Sequence, residues 1–302
     1  MQPVTLQARD FAVFYSICQC GALTARQISA LFFPPFQYPL DVPSANCQYR
    51  LRLLRANSYL AHIEQPQIPS DGRKPYLYQL TTKGVQALAS YLGCAVAELP
   101  YHKRDSRLSA FYLEHLLIGN DVRVCITLAA QKHDVQLIAW HDELTLKSTH
   151  SADKLTITDR TGRQHTNLVL VPDGFIHLHR AQPVPLDSFF FLEIDRGTTT
   201  GQSTIEGRRT WERKIRLYRE YYASGAYTQR YGTKGLRILT IVKSEQRLAH
   251  LKQITEQAGG KGRFWFTSVE LLSSGHILTL PIWQKAGSTE LFALLSERGT
   301  EK

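Results

Sequence analysis

The sequence predicts an α/β protein, α+β overall, built as two domains. Three observations predict it: apolar residues recur at helical spacing through most of the first hundred positions, a polar break carrying a proline follows at 99–106, and beyond it apolar strand-length runs alternate with helix-patterned segments. A chain of 302 residues suits two such units, 1–100 and 101–302, and 43% hydrophobic content against 21% charged supplies packed cores and excludes a disordered chain.

In the first unit, Phe11, Phe14, Ile17 and Cys18 form one apolar stripe, predicting a helix over 9–19. Thr24 and Gln27 have capping-box spacing and open a short second helix with Ile28 and Leu31 on its buried side; Pro34 and Pro35 end it. Ser44 caps a third helix whose inward stripe is Cys47, Leu51 and Leu54, and whose other surface carries Arg50, Arg52 and Arg55. From Pro43 to Ile63 there is no acidic residue, so this surface offers unopposed positive charge to phosphates. Strands at 59–64 and 76–80 flank a turn containing Pro66, Pro69, Asp71 and Gly72, with Arg73 and Lys74 near its tip, and a helix through Leu88 and Leu92 closes the unit.

Three helices with a basic third one, a hairpin with a basic tip and a closing helix resemble the winged helix-turn-helix of bacterial DNA-binding proteins. The resemblance implies that residues 44–56 enter the major groove of double-stranded DNA while Arg73 and Lys74 touch backbone or minor groove. A winged fold used for protein contacts is the alternative.

The second unit reads as a long helix from about 107 to 132, strands at 136–141, 167–179 and 188–195, a helix over 205–223, a strand at 236–243, a helix over 245–257 and a strand at 263–268, with a polar hairpin region around Asp159 to Gly162. In the segment Phe189-Phe190-Phe191-Leu192-Glu193-Ile194-Asp195, the two acids share one strand face, behind Phe189 and Phe191, while Phe190, Leu192 and Ile194 point the other way. Both faces are apolar for most of the strand, which places it centrally in its sheet. Acids desolvated there require a counter-charge. Asp173, after Pro172 at the end of an adjacent apolar strand, offers a third set of oxygens, and three carboxylates suit Mg²⁺ or Mn²⁺.

Pro172-Asp173 followed by Glu193-x-Asp195 in this element order resembles the PD-(D/E)XK nuclease superfamily. Together with the N-terminal winged helix, Val171-Pro172-Asp173-Gly174, the run from Phe191 to Thr198, and Lys214-Ile215-x-x-Tyr218, the chain looks like the bacterial plasmid replication-relaxation family over nearly its whole length. The resemblance implies a restriction-endonuclease-like mixed sheet, a role in plasmid or mobile-element replication or mobilisation, and Mg²⁺-dependent nicking with Asp173, Glu193 and Asp195 on the metal. One position departs: the superfamily's lysine two residues after the glutamate is here Asp195. Trp211, Ile215, Tyr218 and Tyr222 form the inward stripe of the next helix, and Lys214 beside it resembles a migrated catalytic lysine. Two readings stay open: a metal-binding nuclease site, or a structural Lys214–carboxylate network in a DNA-binding accessory factor or regulator that has lost cleavage.

Other polar residues read more plainly. Glu114 is a solvated acid or a further member of the cluster, His115 a core histidine, His177 and His179 the polar end of a strand, and Arg196, Arg208 and Arg209 either phosphate contacts or a solvated rim around the loop 197–204.

The composition bounds the partners. With 36 Lys and Arg against 26 Asp and Glu the net charge is +10, favouring a polyanion. No uncharged apolar run reaches membrane-spanning length and no secretory leader opens the chain, so a cytoplasmic protein without a membrane is expected. Five cysteines with no C-x-x-C spacing read as reduced thiols rather than a zinc site. No Walker, dinucleotide or G-x-S-x-G motif is present, which argues against an ATPase or a serine hydrolase. Whether a relaxase or replication initiator is recruited, the target sequence and the oligomeric state are not encoded legibly.

Overall fold

The computed structural model describes residues 4–66, 72–101, 110–151, 153–159, 162–182, 184–197, 201 and 210–295. It is a mixed α/β protein that divides into two compact units, Met1–Cys125 and Ile126–Lys302. The break expected over 102–106, the loop tip at Pro69 and Asp71, the start of the long helix at 107–109, most of the loop 197–204, and Arg208 and Arg209 lie outside the described residues.

Unit 1 contains α1 (Ala8–Cys20), β1 (Leu23–Thr24), α2 (Ala25–Phe32), α3 (Ala45–Ala56), β2 (Leu60–Ile63), β3 (Leu77–Leu80) and α4 (Thr82–Leu92). The caps form as the residue types require. Thr24 Oγ1 accepts from the Gln27 amide at 3.1 Å while Gln27 Oε1 accepts from the Thr24 amide at 2.9 Å, and Ser44 Oγ accepts from the Cys47 amide at 3.2 Å. β3 lies between β1 and β2 in an antiparallel sheet, and the expected stripe Cys47, Leu51, Leu54 packs with Phe14, Ile17, Ile28 and Leu88 into one core.

The unit boundary falls within α5 (Ala110–Lys132). Its N-terminal part serves unit 1: Asn120 Nδ2 donates to the Ala22 carbonyl at 2.7 Å, and Asp121, which burial pushes up, accepts from Gln27 Nε2 at 2.6 Å and from the Tyr38 hydroxyl.

Unit 2 continues with β4 (Val135–Asp142), α6 (Glu143–His150), β5 (Leu155–Thr158), β6 (Gln164–Leu168), β7 (Gly174–Arg180), β8 (Leu186–Asp195), α7 (Trp211–Ala223), α8 (Ala226–Tyr231), β9 (Arg237–Val242), α9 (Glu245–Gln257), β10 (Phe264–Ser268), β11 (Trp283–Lys285) and β12 (Leu291–Phe292). Seven strands form one sheet in the order β12-β11-β10-β9-β8-β7-β4; β8, β9 and β10 are parallel and the remaining pairings antiparallel. β8 is internal, bonded to β7 on one side and β9 on the other, as its two apolar faces require.

The run expected as one strand over 167–179 is broken. β6 ends at Leu168 and pairs only with β5, and β7 starts at Gly174. Asn167 takes a positive φ of 56° and Pro172 has no amide to give a ladder, so the chain leaves one sheet and enters the other between them. The helices α6 and α8 and the strands β11 and β12 are absent from the sequence reading. One face of the large sheet is covered by α7 and α9, with Phe191, Ile238, Phe264 and Phe266 packed against Ile215, Tyr218, Leu251 and Ile254.

Candidate functional site

The strand order determines which acids meet. β7 runs antiparallel to β8 with Gly174 opposite Leu192, so the next position in that register sets Asp173 opposite Glu193. Two bonds hold it there: the Asp173 amide donates to the Leu192 carbonyl at 3.0 Å, and the Ile194 amide donates to Asp173 Oδ2 at 2.7 Å. Asp173 thus grips the backbone on both sides of Glu193. It is half-buried, whereas Glu193 is only 1% exposed.

Glu193 points at α7. The Lys214 ammonium donates to its Oε2 and the Tyr218 hydroxyl to its Oε1, so each oxygen has a partner from the helix. Lys214 and Tyr218 are four residues apart, one helical turn, which lets a single helix face present both. Burial pushes the Glu193 carboxyl above the ordinary carboxylate range, with the Lys214 charge opposing and the nearby Asp173 charge reinforcing. Burial disfavours the Lys214 cation, but Glu193 and then Asp173 outweigh it and hold the ammonium above its usual range. Lys214 is the counter-charge that the buried acid needs.

Asp195 sits on the same strand face but has another partner. Arg247, at the third position of α9, bonds it through both oxygens, Nε to Oδ2 at 2.6 Å and Nη2 to Oδ1 at 3.0 Å, and the Gly197 amide adds a bond to Oδ2 at 3.0 Å. Among the described residues, no set of three carboxylate, thiol or imidazole groups within mutual metal-ligand reach includes Glu193 or Asp195. The structure therefore brings together Asp173, Glu193 and Lys214, adds Tyr218, and turns Asp195 to Arg247. Tyr218 was visible in sequence as part of an apolar stripe and of the Lys214-Ile215-x-x-Tyr218 motif but was not assigned to the site, and Arg247 was not visible at all, although a buried strand-end acid required some cation.

The expected nucleic-acid residues divide similarly. Arg52 and Arg55 are exposed on α3, with Arg52 5.9 Å from the Tyr49 ring. Arg55 Nη1 bonds His62 Nδ1 at 2.9 Å; the His62 ring lies 4.6 Å from that of Tyr76; and Arg73 lies 5.1 Å over Tyr76. A continuous basic and aromatic surface thus runs from α3 onto the β2–β3 hairpin. Lys74 is half-buried beside it. Arg50 does not belong to this surface. Its Nε donates to Asp10 Oδ1 at 2.8 Å and its Nη2 to Asp10 Oδ2 and the Thr5 carbonyl, neutralising an acid that is 1% exposed. His177 and His179 both bond Asp187, at 2.8 and 3.1 Å.

The profile of the replication-relaxation family matches residues 14–236, which takes in the C-terminal half of α1, the basic surface, the Asp173–Glu193 pair and Lys214. The chain belongs to the replication-relaxation family. No curated protein and no solved structure matches it. Membership gives this replication-relaxation protein a role in plasmid or mobile-element replication or relaxation. Among its described residues, no helix is long and apolar enough to cross a membrane.

Proposed function

We propose that the protein binds double-stranded DNA at a plasmid or mobile-element origin or transfer site through unit 1, acting as a winged helix-turn-helix, and that unit 2, a PD-(D/E)XK nuclease-like domain, nicks the bound DNA with Mg²⁺ or Mn²⁺. The observation that carries the reading is the Asp173–Glu193–Lys214 arrangement: two carboxylates fixed by backbone register with an amine delivered by a helix. The lysine missing after Glu193 in the strand is thereby supplied from α7.

The donor set fits a hard divalent cation. Asp173 and Glu193 offer only oxygen, and a carboxylate has about four lone-pair positions, so the bonds from Ile194, Lys214 and Tyr218 leave acceptor capacity. Mg²⁺ or Mn²⁺ held there would stabilise charge on a scissile phosphate and lower the pKa of a bound water. Asp173 and Glu193 are the residues that would hold it. Lys214 orients the attacking water or meets the developing negative charge; Tyr218 fixes the Glu193 carboxylate; Arg247 and Asp195 tie the end of β8 to α9. In unit 1 the residues offered to DNA are Arg52, Arg55, Arg73 and Lys74, with Arg50 positioning α3 through Asp10.

A second reading is favoured by the Asp195–Arg247 pair and by the engagement of both Glu193 oxygens: a non-catalytic replication or mobilisation factor whose nuclease-like unit is neutralised internally and serves as a platform for a relaxase or initiator. Calorimetric titration of Mg²⁺ separates the two. The nuclease reading requires a saturable site lost in Glu193→Gln; the platform reading requires none.

A further inference from the structure

Unit 2 contains a cavity of about 510 Å³ lined by Tyr218 but by none of the sheet's acids, formed by β5, α7, the start of β9 and the turn between α9 and β10. That volume lies in the range of small-molecule sites. Its apolar part is Ile157, Leu236, Ile238 and Phe264. Its polar part is cationic: Arg216, Arg219, Lys261 and Arg263 line it, against the single carboxylate of Glu220.

Three of those cations lack an anionic partner among the described residues. Arg216 is neutralised by Glu212, at 2.9 Å. Arg219, in contrast, donates only to the Ala258 carbonyl, at 2.9 Å, and Arg263 only to the carbonyls of Lys234 and Leu236, at 3.2 and 3.3 Å, while Lys261 is exposed at the rim with no bonded partner. The two guanidinium groups are tethered to backbone carbonyls without being neutralised. Arg263 stacks 3.7 Å over the Tyr222 ring. Arg219 lies against Gly259, where a Cβ would come within 2.7 Å of its Nη1, so the turn is shaped to admit the arginine. Fixed N–H donors pointing into a cavity with an apolar floor match a phosphate group attached to an apolar or planar body.

We propose that this cavity is a binding site for a phosphorylated small molecule of nucleoside-monophosphate type, with Arg219, Lys261 and Arg263 on the phosphate and the floor of Ile157, Leu236, Ile238 and Phe264 under the remainder. The site is separate from the carboxylate cluster, and it does not depend on whether unit 2 cleaves DNA.

Calorimetry of the full chain with deoxyadenosine monophosphate, inorganic phosphate and a short DNA duplex tests it, using wild type and the Arg219→Ala/Lys261→Ala double variant, both positions being exposed. The expected result is saturable nucleotide binding, weakened at least about tenfold in the double variant, with inorganic phosphate weaker and duplex affinity unchanged. A correctly folded double variant is verified by an unchanged melting temperature, and Lys261→Ala alone, which removes no hydrogen bond or ion pair among the described residues, gives a smaller loss in the same direction. Absence of saturable binding by wild type overturns the proposal, as does equal binding by wild type and double variant. Displacement of the nucleotide by duplex, with the double variant losing duplex affinity, assigns the cations to nucleic-acid backbone and also overturns it.

Discussion

Asp173 spans Glu193: its amide bonds the carbonyl of the residue before, and its carboxylate accepts the amide of the residue after, at 3.0 and 2.7 Å. One residue therefore both ends the β7–β8 ladder and sets a second carboxylate beside a fully buried one. The bond to Ile194 also fixes Asp173 in rotamer, so the pair is organised before any ligand arrives.

Removing the amine tests the electrostatics of the cluster. Glu193 has a side chain 2% exposed and Lys214 one 28% exposed, so Lys214→Met strands a buried acid. The expected loss is about 3 kcal/mol of unfolding free energy, measured by urea denaturation. The Glu193→Gln/Lys214→Met double variant, having no charge to strand, is expected to recover most of it, and strict additivity of the two single effects would refute the pairing.

Acid lability follows from His150, which is completely buried. Its Nδ1, 3.1 Å from the Leu170 carbonyl, donates to it, and in the neutral ring its Nε2, 2.7 Å from the Tyr231 hydroxyl, accepts from it, so both ring nitrogens are satisfied without a charge. Burial pulls its pKa below the ordinary 6.5, with Arg230 and His141 acting in the same direction and the Leu170 carbonyl and Asp153 opposing. The unfolded chain then binds the proton more tightly than the folded one, so the contribution is present above 6.5 and lost as pH falls through the folded-state value. Urea midpoints of wild type should decline on acidification more steeply than those of His150→Gln; parallel curves would remove His150 from the account.

The arginines of α3 should separate into two kinds. Arg52→Ala and Arg55→Ala are each expected to lower DNA affinity and reduce the salt slope by about one, read from binding isotherms across a salt series. Arg50→Ala is expected instead to cost about 2 kcal/mol of stability, because Asp10 is left buried without its partner. A salt slope unchanged in both exposed-residue variants would exclude α3 as the DNA-contacting surface.

Gly84 reports on the closing helix of unit 1. It lies in the first turn of α4 against the backbone entering β2, and a Cβ there would fall 2.3 Å from the Tyr59 carbonyl oxygen. Gly84→Ala is expected to destabilise the protein by about 1–3 kcal/mol despite alanine's better helix propensity, as a lowered melting temperature. A neutral or stabilising effect would show that α4 packs less closely.

Much of this arrangement was legible because it is local. The Thr24–Gln27 and Ser44 caps, the Cys47-Leu51-Leu54 stripe and the central strand with Glu193 and Asp195 on one face follow from periodicity and side-chain chemistry alone. The misses have physical reasons. α6 buries only Leu146 and His150, too few apolar positions to set a helical period, and the apolar run from Leu168 to Val171 reads as strand although Asn167 and Pro172 end both ladders around it. Arg50 looked like its exposed neighbours because its partner Asp10 is forty residues away, and Arg247 reaches Asp195 across fifty-two. Sequence periodicity identifies faces; it does not say which charge on a face turns inward.

Supercoiled-plasmid nicking with Mg²⁺ or Mn²⁺ tests the central claim most directly. The account predicts metal-dependent conversion to open circles by the wild-type protein, lost in Asp173→Ala and in Glu193→Gln. No metal-dependent nicking by wild type, or nicking that persists undiminished in Asp173→Ala, would contradict it.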